Sequence, residues 1–318
     1  MANKITIAGA GLSGLSAAYC LSKAGYDATV YEKNQAIRRN TPPYTCVIKN
    51  KNGNKILKEL QHFGISVKAY AINPRVIKIS PNHCKSIGFR NYYLIALGTS
   101  DNSFNNQLYV DCLSEGVKFN FNSPSTDANI IATGASSNQP NIYGFGHIYD
   151  KMNLDTEATY LVYNNDIAPG GYTYISTKEE TSTVMAVSFS KLPQPQLKKL
   201  FEKSLSNFKP LKEMVDGAHK IDEIHGSAYY ANDPYIYLEQ NNQLYVGEAA
   251  GIQDSSRGFG IRYAIISGAI AAQSIIENEN YTDLMHRYFN DEFIKNLLKR
   301  EIHNKLTNKD YDNLLAMV

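Results

Sequence analysis

Tryptophan is absent from this 318-residue chain, and the four cysteines, Cys20, Cys46, Cys84 and Cys112, form neither a CxxC pair nor a zinc-ligand set. Disulfide stapling and dithiol redox chemistry are not organising features. Charge of one sign is equally scarce, since 32 Lys and Arg stand against 30 Asp and Glu for a net charge of +2. That balance gives no long-range field suited to nucleic acid. No basic start leads into an apolar signal segment, and glycines, Asp27 and Glu32 interrupt the apolar opening before it could span a bilayer. A cytoplasmic protein is expected, with peripheral membrane contact left open. The seven histidines show no HExxH or other ligand spacing, and no serine sits in G-x-S-x-G. Neither a catalytic metal nor a hydrolase nucleophile is therefore expected.

What the chain does have begins at residue 4. "KITIAG" reads as a short buried strand, "LSGLSAAYCLSKAG" as a helix stopped by Gly25, and "DATVYEK" as a second strand. The result is a β-α-β unit with a parallel sheet. Gly9, Gly11 and Gly14 form G-x-G-x-x-G, in which the first permits a tight turn, the second lets backbone approach a pyrophosphate, and the third lets helix pack on strand. Negative phosphate then meets a helix N-terminus. Glu32 closes the second strand where a carboxylate accepts hydrogen bonds from a ribose diol, and it would repel a ribose phosphate, which disfavours NADP there. The stretch alone does not choose between NAD and FAD.

Two later stretches bear on that choice. In "TDANIIATGASS", Ile130 and Ile131 form a buried strand running into Thr133, Gly134 and Ala135. In "NNQLYVGEAAGIQDSSRGFGIRYAIISGAIAAQSI", a short strand meets Gly247, Glu248, Ala249, Ala250 and Gly251, and a helix of small residues follows Gly258 and Gly260. A helix start of that kind offers unpaired N–H groups and a positive dipole end to an electron-rich acceptor.

With these three stretches in order, the chain resembles the FAD-dependent oxidoreductases of the geranylgeranyl reductase type, within the wider class that includes aromatic hydroxylases. That family reads G-x-G-x-x-G near its start, D-x-x-I-x-A-x-G mid-chain, and G-D-A-A-G followed by G-x-G-I near its end. The resemblance implies that Gly9, Ala10, Gly11, Leu12, Ser13 and Gly14 hold the FAD pyrophosphate. It places Glu32 on the adenosine ribose and counts Lys33, Arg39, Thr133 and Gly134 among the cofactor-binding residues. Gly247 and Glu248 would lie beside the pyrophosphate and ribityl chain, and the backbone of Gly258, Phe259, Gly260 and Ile261 would face the flavin ring. Cys46 matches a cysteine that the family often carries on a short loop near the flavin. "APGGYTYIS" is similar to the family's Gly-Tyr-x-Trp segment, with Tyr174 at the Trp position, which makes Tyr172 and Tyr174 the candidates for substrate contact and catalysis. Two departures stand out. Glu248 replaces an Asp, and Ala96, Leu97 and Gly98 occupy the place of an expected Arg.

The expected fold class is α/β: a Rossmann-like FAD-binding domain with an inserted antiparallel-sheet substrate domain and a helical C-terminal tail. The FAD-binding domain would comprise residues 1–75, 96–140 and 241–280, the substrate domain 76–95 and 141–240, and the helical segment 281–318. Tyr160, Tyr163, Tyr172, Tyr174, Tyr235 and Tyr237 are expected on the inserted sheet, and "LPQPQLKKLFEKSLSNFKPL" reads as a Pro-started helix with Leu197, Leu200 and Phe201 on one face. Arg257 and Arg262 flank the flavin-facing turn, on a solvated face or against an anionic substrate. The leading functional expectation is reduction of C=C bonds in an apolar, isoprenoid-like substrate by hydride from reduced flavin. Transient NAD(P)H or a protein would donate electrons, because no second glycine fingerprint is present. The alternatives are an FAD-dependent monooxygenase and a non-catalytic flavin-binding protein. Thr133 at the position of an Asp, and the missing tryptophan of a halogenase W-x-W-x-I, weigh against the oxygenating branch.

Overall fold

A computed structural model describes residues 3–37, 42–49, 56–66, 71–72, 75–88, 92–137, 140–178 and 180–317. The strand Lys4–Ala8 pairs in parallel with Asp27–Tyr31 and, on its other side, with Ile130–Ile131. Lys118–Asn120 and Gln243–Tyr245 extend this sheet in parallel, and only the edge strand Glu239–Gln240 runs antiparallel. The helix Leu12–Lys23 crosses between the first two strands, burying Leu12, Leu15, Ala17, Ala18 and Leu21. Gly25, at φ +87°, takes the chain out of the helix in a conformation that favours glycine. The helices Phe104–Ser114 and Gly260–Glu277 pack against the same first helix. Together they make a Rossmann-type nucleotide-binding unit.

The second layer is a seven-stranded sheet in the order His219–Ala228, Ile142–Asp150, Thr181–Ser188, Tyr172–Lys178, Ala158–Val162, Arg75–Ile79, Cys84–Gly88. It departs from the purely antiparallel expectation at one seam, where Arg75–Ile79 pairs in parallel with Ala158–Val162. The reason is topological. These two strands are joined through the nucleotide-binding unit rather than by a hairpin, so nothing forces them to oppose each other. A three-stranded sheet, Tyr44–Lys49, Tyr92–Leu97 and Ala71–Ile72, bridges the two units, and the boundary expected between residues 95 and 96 falls inside its middle strand. Thr45 ties it to the large sheet, donating its N–H to Thr183 Oγ1 (3.0 Å) and accepting from Ser176 Oγ (3.3 Å).

The back of the large sheet is covered by the helix Gln194–Asn207, whose Leu197 and Phe201 are fully buried while Leu200 is only half-buried. Tyr235 and Tyr237 are not on the sheet. They lie in a 3-10 turn, Pro234–Tyr237, started by Asp233, whose carboxylate accepts from the Tyr235 N–H (3.0 Å). Under the helix, His147, Glu202 and Glu223 converge, but Lys198 and Lys220 each donate to Glu223 at 2.8 Å and neutralise the cluster. The C-terminal segment forms the helices Tyr281–Phe289, Glu292–Lys305 and Asn308–Ala316.

Arg262 overturns the solvated-face expectation. It is 4% exposed, its Nε and Nη2 fork binds Glu59 (2.7 and 2.6 Å), and Nη1 donates to Glu292 (3.0 Å). Tyr263, Tyr288 and Phe289 pack around the guanidinium. Two carboxylates from distant stretches thus use all of its charge, leaving none for a substrate. Arg262→Ala strands both acids in the interior and is expected to lower stability by about 3–5 kcal/mol, read by urea denaturation.

Burial pushes the imidazoles of His147 and His303 down to about 4. Between about pH 6.5 and 4 the unfolded chain binds protons that the folded one does not, so stability falls as pH drops through that window. For His147 the loss by pH 5 is on the order of 2 kcal/mol, and His147→Asn should remove about half of the fall measured between pH 7 and 5.

Candidate functional site

Residues 9–13 form the turn that opens the first helix. Gly9 sits at φ +103°, and a Cβ there would come within 2.4 Å of the Ala132 carbonyl oxygen; a Cβ on Gly14 would lie 2.0 Å from the Gly9 oxygen. Both glycines are required by backbone packing. Gly11 is different, because a Cβ on it would meet nothing within 4 Å. It borders a cavity of about 860 Å³, so the space beside it is a cradle left open by the absent side chain. Gly11 provides no side-chain cap and the first turn holds no acidic residue, which leaves its N–H groups for an external acceptor. Ala10, Leu12 and Ser13 also line the cavity, whereas Gly14 lies behind them.

Glu32 is 8% exposed and borders the same cavity with Lys33. Its Oε2 accepts from the Ala10 N–H (2.8 Å), and its Oε1 from the Asn34 N–H (2.9 Å) and Nδ2 (2.7 Å). These bonds lock the carboxylate beside the glycine turn, and the one lone pair left on Oε2 suits a ribose hydroxyl. Thr133 and Gly134 line the cavity next to Gly9, where Gly134 begins the 3-10 turn Gly134–Ser137. Arg39 lies outside the described residues.

Glu248 also faces the cavity, with Oε1 accepting from Gln253 Nε2 (3.1 Å). Gly247 does not line it. Its N–H donates to Ser267 Oγ (2.9 Å), and a Cβ would press to 3.0 Å on Ser13 Oγ, so its part is packing. Gly258, Phe259, Gly260 and Ile261 form the wall where the helix Gly260–Glu277 begins, again without a side-chain cap or an acidic residue in the first turn. At Gly260 the amide end of Gln253 occupies the space of a Cβ at 2.3 Å, so a larger residue would have to displace that side chain.

The opposite wall comes from the large sheet, including Leu161, Tyr172, Tyr174, Met185 and Val187. Tyr172 spends its hydroxyl proton on the Arg257 carbonyl (2.6 Å), which pins the turn before Gly258. Tyr174 donates only to the Met185 sulfur (3.4 Å), and burial raises its phenol well above the ordinary value, so it stays protonated. Cys46 lines the cavity from the strand Tyr44–Lys49 rather than from a loop. Two contributors carried no sequence signal: Met185, one methionine among alternating strand residues, and Arg300, whose Nη groups hold the carbonyls of Ser256 (3.2 Å) and Gly170 (2.5 Å). The cavity therefore runs without interruption from Glu32, past two uncapped helix N-termini, to an apolar sheet face. That donor set fits a long dinucleotide with an anionic middle and a flat head.

Comparison with known proteins places this architecture. A family model described as an NAD(P)-binding Rossmann-like domain matches residues 7–45. The fold is that of a geranylgeranyl bacteriochlorophyll reductase-like protein from Thermoplasma acidophilum: TM-score 0.79 at 20% identity, covering 99% of this chain and 91% of that one. A probable FAD-dependent monooxygenase from Pseudomonas aeruginosa shares the fold at TM-score 0.67 and 14% identity, over 99% of this chain and 100% of its own. In sequence, the chain is 24% identical over 185 residues to digeranylgeranylglycerophospholipid reductase 1 of Methanococcoides burtonii, a match over 52% of this chain and 42% of that reductase. The matched stretch thus spans less than half the length of that relative. The chain is similar to that reductase in sequence over the matched stretch and shares the geranylgeranyl-reductase-like fold, a Rossmann-like unit with an inserted sheet.

The glycine turn yields a paired prediction. Gly11→Val should leave stability within about 0.5 kcal/mol while cutting FAD affinity at least tenfold, because its side chain enters the cavity and not the core. Gly14→Ala should instead destabilise by about 1–3 kcal/mol, because its methyl group meets backbone. Thermal unfolding and flavin-fluorescence titration of both variants separate the two effects.

Proposed function

We propose that the protein is an FAD-dependent oxidoreductase that reduces carbon–carbon double bonds of an apolar, isoprenoid-like substrate. The observation that carries this reading is the continuity of one cavity from the Glu32 carboxylate to the apolar sheet wall. When bound, FAD supplies the hydride that such a reduction needs.

The remaining roles belong to the chain. The uncapped N–H groups of residues 11–13 bind the pyrophosphate, and Glu32 accepts from the adenosine ribose. The start of the helix Gly260–Glu277 offers backbone N–H groups and a positive dipole end to the negative charge that a reduced isoalloxazine carries, with no acid in its first turn and with the Arg262 guanidinium there turned to Glu59 and Glu292. Leu161, Met185 and Val187 form an apolar surface that receives a prenyl chain and excludes water. Tyr172 keeps the turn before Gly258 in place through its bond to Arg257, and Tyr174 keeps its proton close to the apolar wall. The electron donor is a visiting NAD(P)H or a redox protein.

The similarity to the archaeal lipid reductase supports the isoprenoid class. The test is anaerobic. FAD-loaded protein reduced with dithionite should be reoxidised by a detergent-dispersed prenyl lipid and yield the saturated product. Reduced protein that is indifferent to alkenes of several classes would refute the reading, and NAD(P)H consumption coupled to an oxygenated product would replace it with a monooxygenase.

A further inference from the structure

The helix Glu292–Lys305 has two contrasting faces. Its inner face buries Phe293, Asn296 and Arg300, and Arg300 clamps the turn that precedes Gly258, so this helix braces the wall-forming turn from outside the cavity. Its outer face carries Ile294, Leu298 and Ile302, which are 60%, 55% and 60% exposed. Spaced four residues apart, they fall within a single stripe about 80° wide at about 100° per residue. Lys295 and Lys299 follow two of them by one position and form a flank, and Lys305 falls within the stripe. Lys295 also pairs with Asp291 at 2.7 Å. The one exposed acid within the helix is Glu301. On the next helix, Asn308–Ala316, Leu314 is exposed, as is Met317 just beyond it.

We infer that this face docks on an anionic lipid surface, with Ile294, Leu298 and Ile302 entering the headgroup boundary and Lys295, Lys299 and Lys305 meeting the headgroups. The near-zero charge balance of the whole chain conceals this local pattern, in which aliphatic side chains and lysines share one side of a helix as in interfacial helices. A second copy of the chain fits less well, because apposing two such stripes would bring like-charged lysines together with a single Glu301 on each side to offset them. No described helix is long and apolar enough to cross a membrane, so contact would be confined to the surface. The inference does not depend on which reaction the cavity performs.

The experiment is co-sedimentation of the full chain with vesicles of equal parts phosphatidylcholine and phosphatidylglycerol, compared with phosphatidylcholine alone. Binding to the anionic vesicles is expected to be roughly tenfold or more tighter and to weaken as salt rises. Leu298→Glu with Ile302→Glu should abolish it, and Lys295→Glu with Lys299→Glu should remove the preference for anionic lipid, both with FAD uptake unchanged as the check on folding. Wild-type protein remaining in the supernatant, or variants binding as well as wild type, would overturn the inference. So would a dimer in solution that the Leu298 and Ile302 substitutions dissociate, since the face would then belong to a second copy.

Discussion

The close approach of two helices governs the whole site. The first helix, Leu12–Lys23, and the long helix Gly260–Glu277 meet where Gly268 faces the backbone of Ser13; a Cβ on Gly268 would lie 2.1 Å from the Ser13 carbonyl oxygen and 2.3 Å from Ser16 Oγ. Ser16 seals the contact by donating to the Ile265 carbonyl at 2.8 Å, and a Cβ on Gly247 would lie only 3.0 Å from Ser13 Oγ. Only small residues allow this spacing. It brings two helix starts, separated by almost 250 residues of sequence, onto one cavity. Two positive dipole ends sharing a space would repel each other in an empty pocket, and a ligand that is anionic in its middle and electron-rich at its head relieves that repulsion.

A second set of contacts fixes where the long helix begins. Arg262, in its first turn, is held by Glu59 from one side and Glu292 from the other, and Tyr263 donates to Glu292 at 2.6 Å. Just upstream, the turn through Ser256 and Arg257 is held by Arg300 and Tyr172. The helix start is thus braced by the C-terminal helices, the large sheet and the helix Ile56–His62 together. Preorganised backbone donors stabilise charge effectively only if they do not have to reorganise, and this bracing provides that rigidity. The C-terminal segment is accordingly part of the site's support.

The local parts of this arrangement were legible in the sequence. Gly9, Gly11, Gly14 and Glu32 announce themselves because the turn, the helix and the strand that use them are contiguous, and the start of the helix at Gly260 follows from its run of small residues. What depended on distant partners was not legible. The burial of Arg262 requires Glu59 and Glu292 to arrive from elsewhere, and nothing near Arg262 in sequence signals them. The parallel seam at Arg75–Ile79 follows from a long excursion of the chain, whereas alternation of apolar residues reads the same in either strand direction. Residue type alone puts Tyr235 and Tyr237 on the sheet, but Asp233 and Pro234 ahead of them favour a turn. Gly247 carried a motif resemblance and serves helix packing, a distinction visible only once Ser13 and Ser267 are beside it.

The central claim is that the two helix starts form one continuous berth for FAD. Native mass spectrometry of the folded protein, mixed with FAD and with NADP in parallel, addresses it directly. The account predicts one non-covalently held FAD per chain and no retained NADP. A folded chain that remains free of FAD, or that prefers NADP, would contradict it.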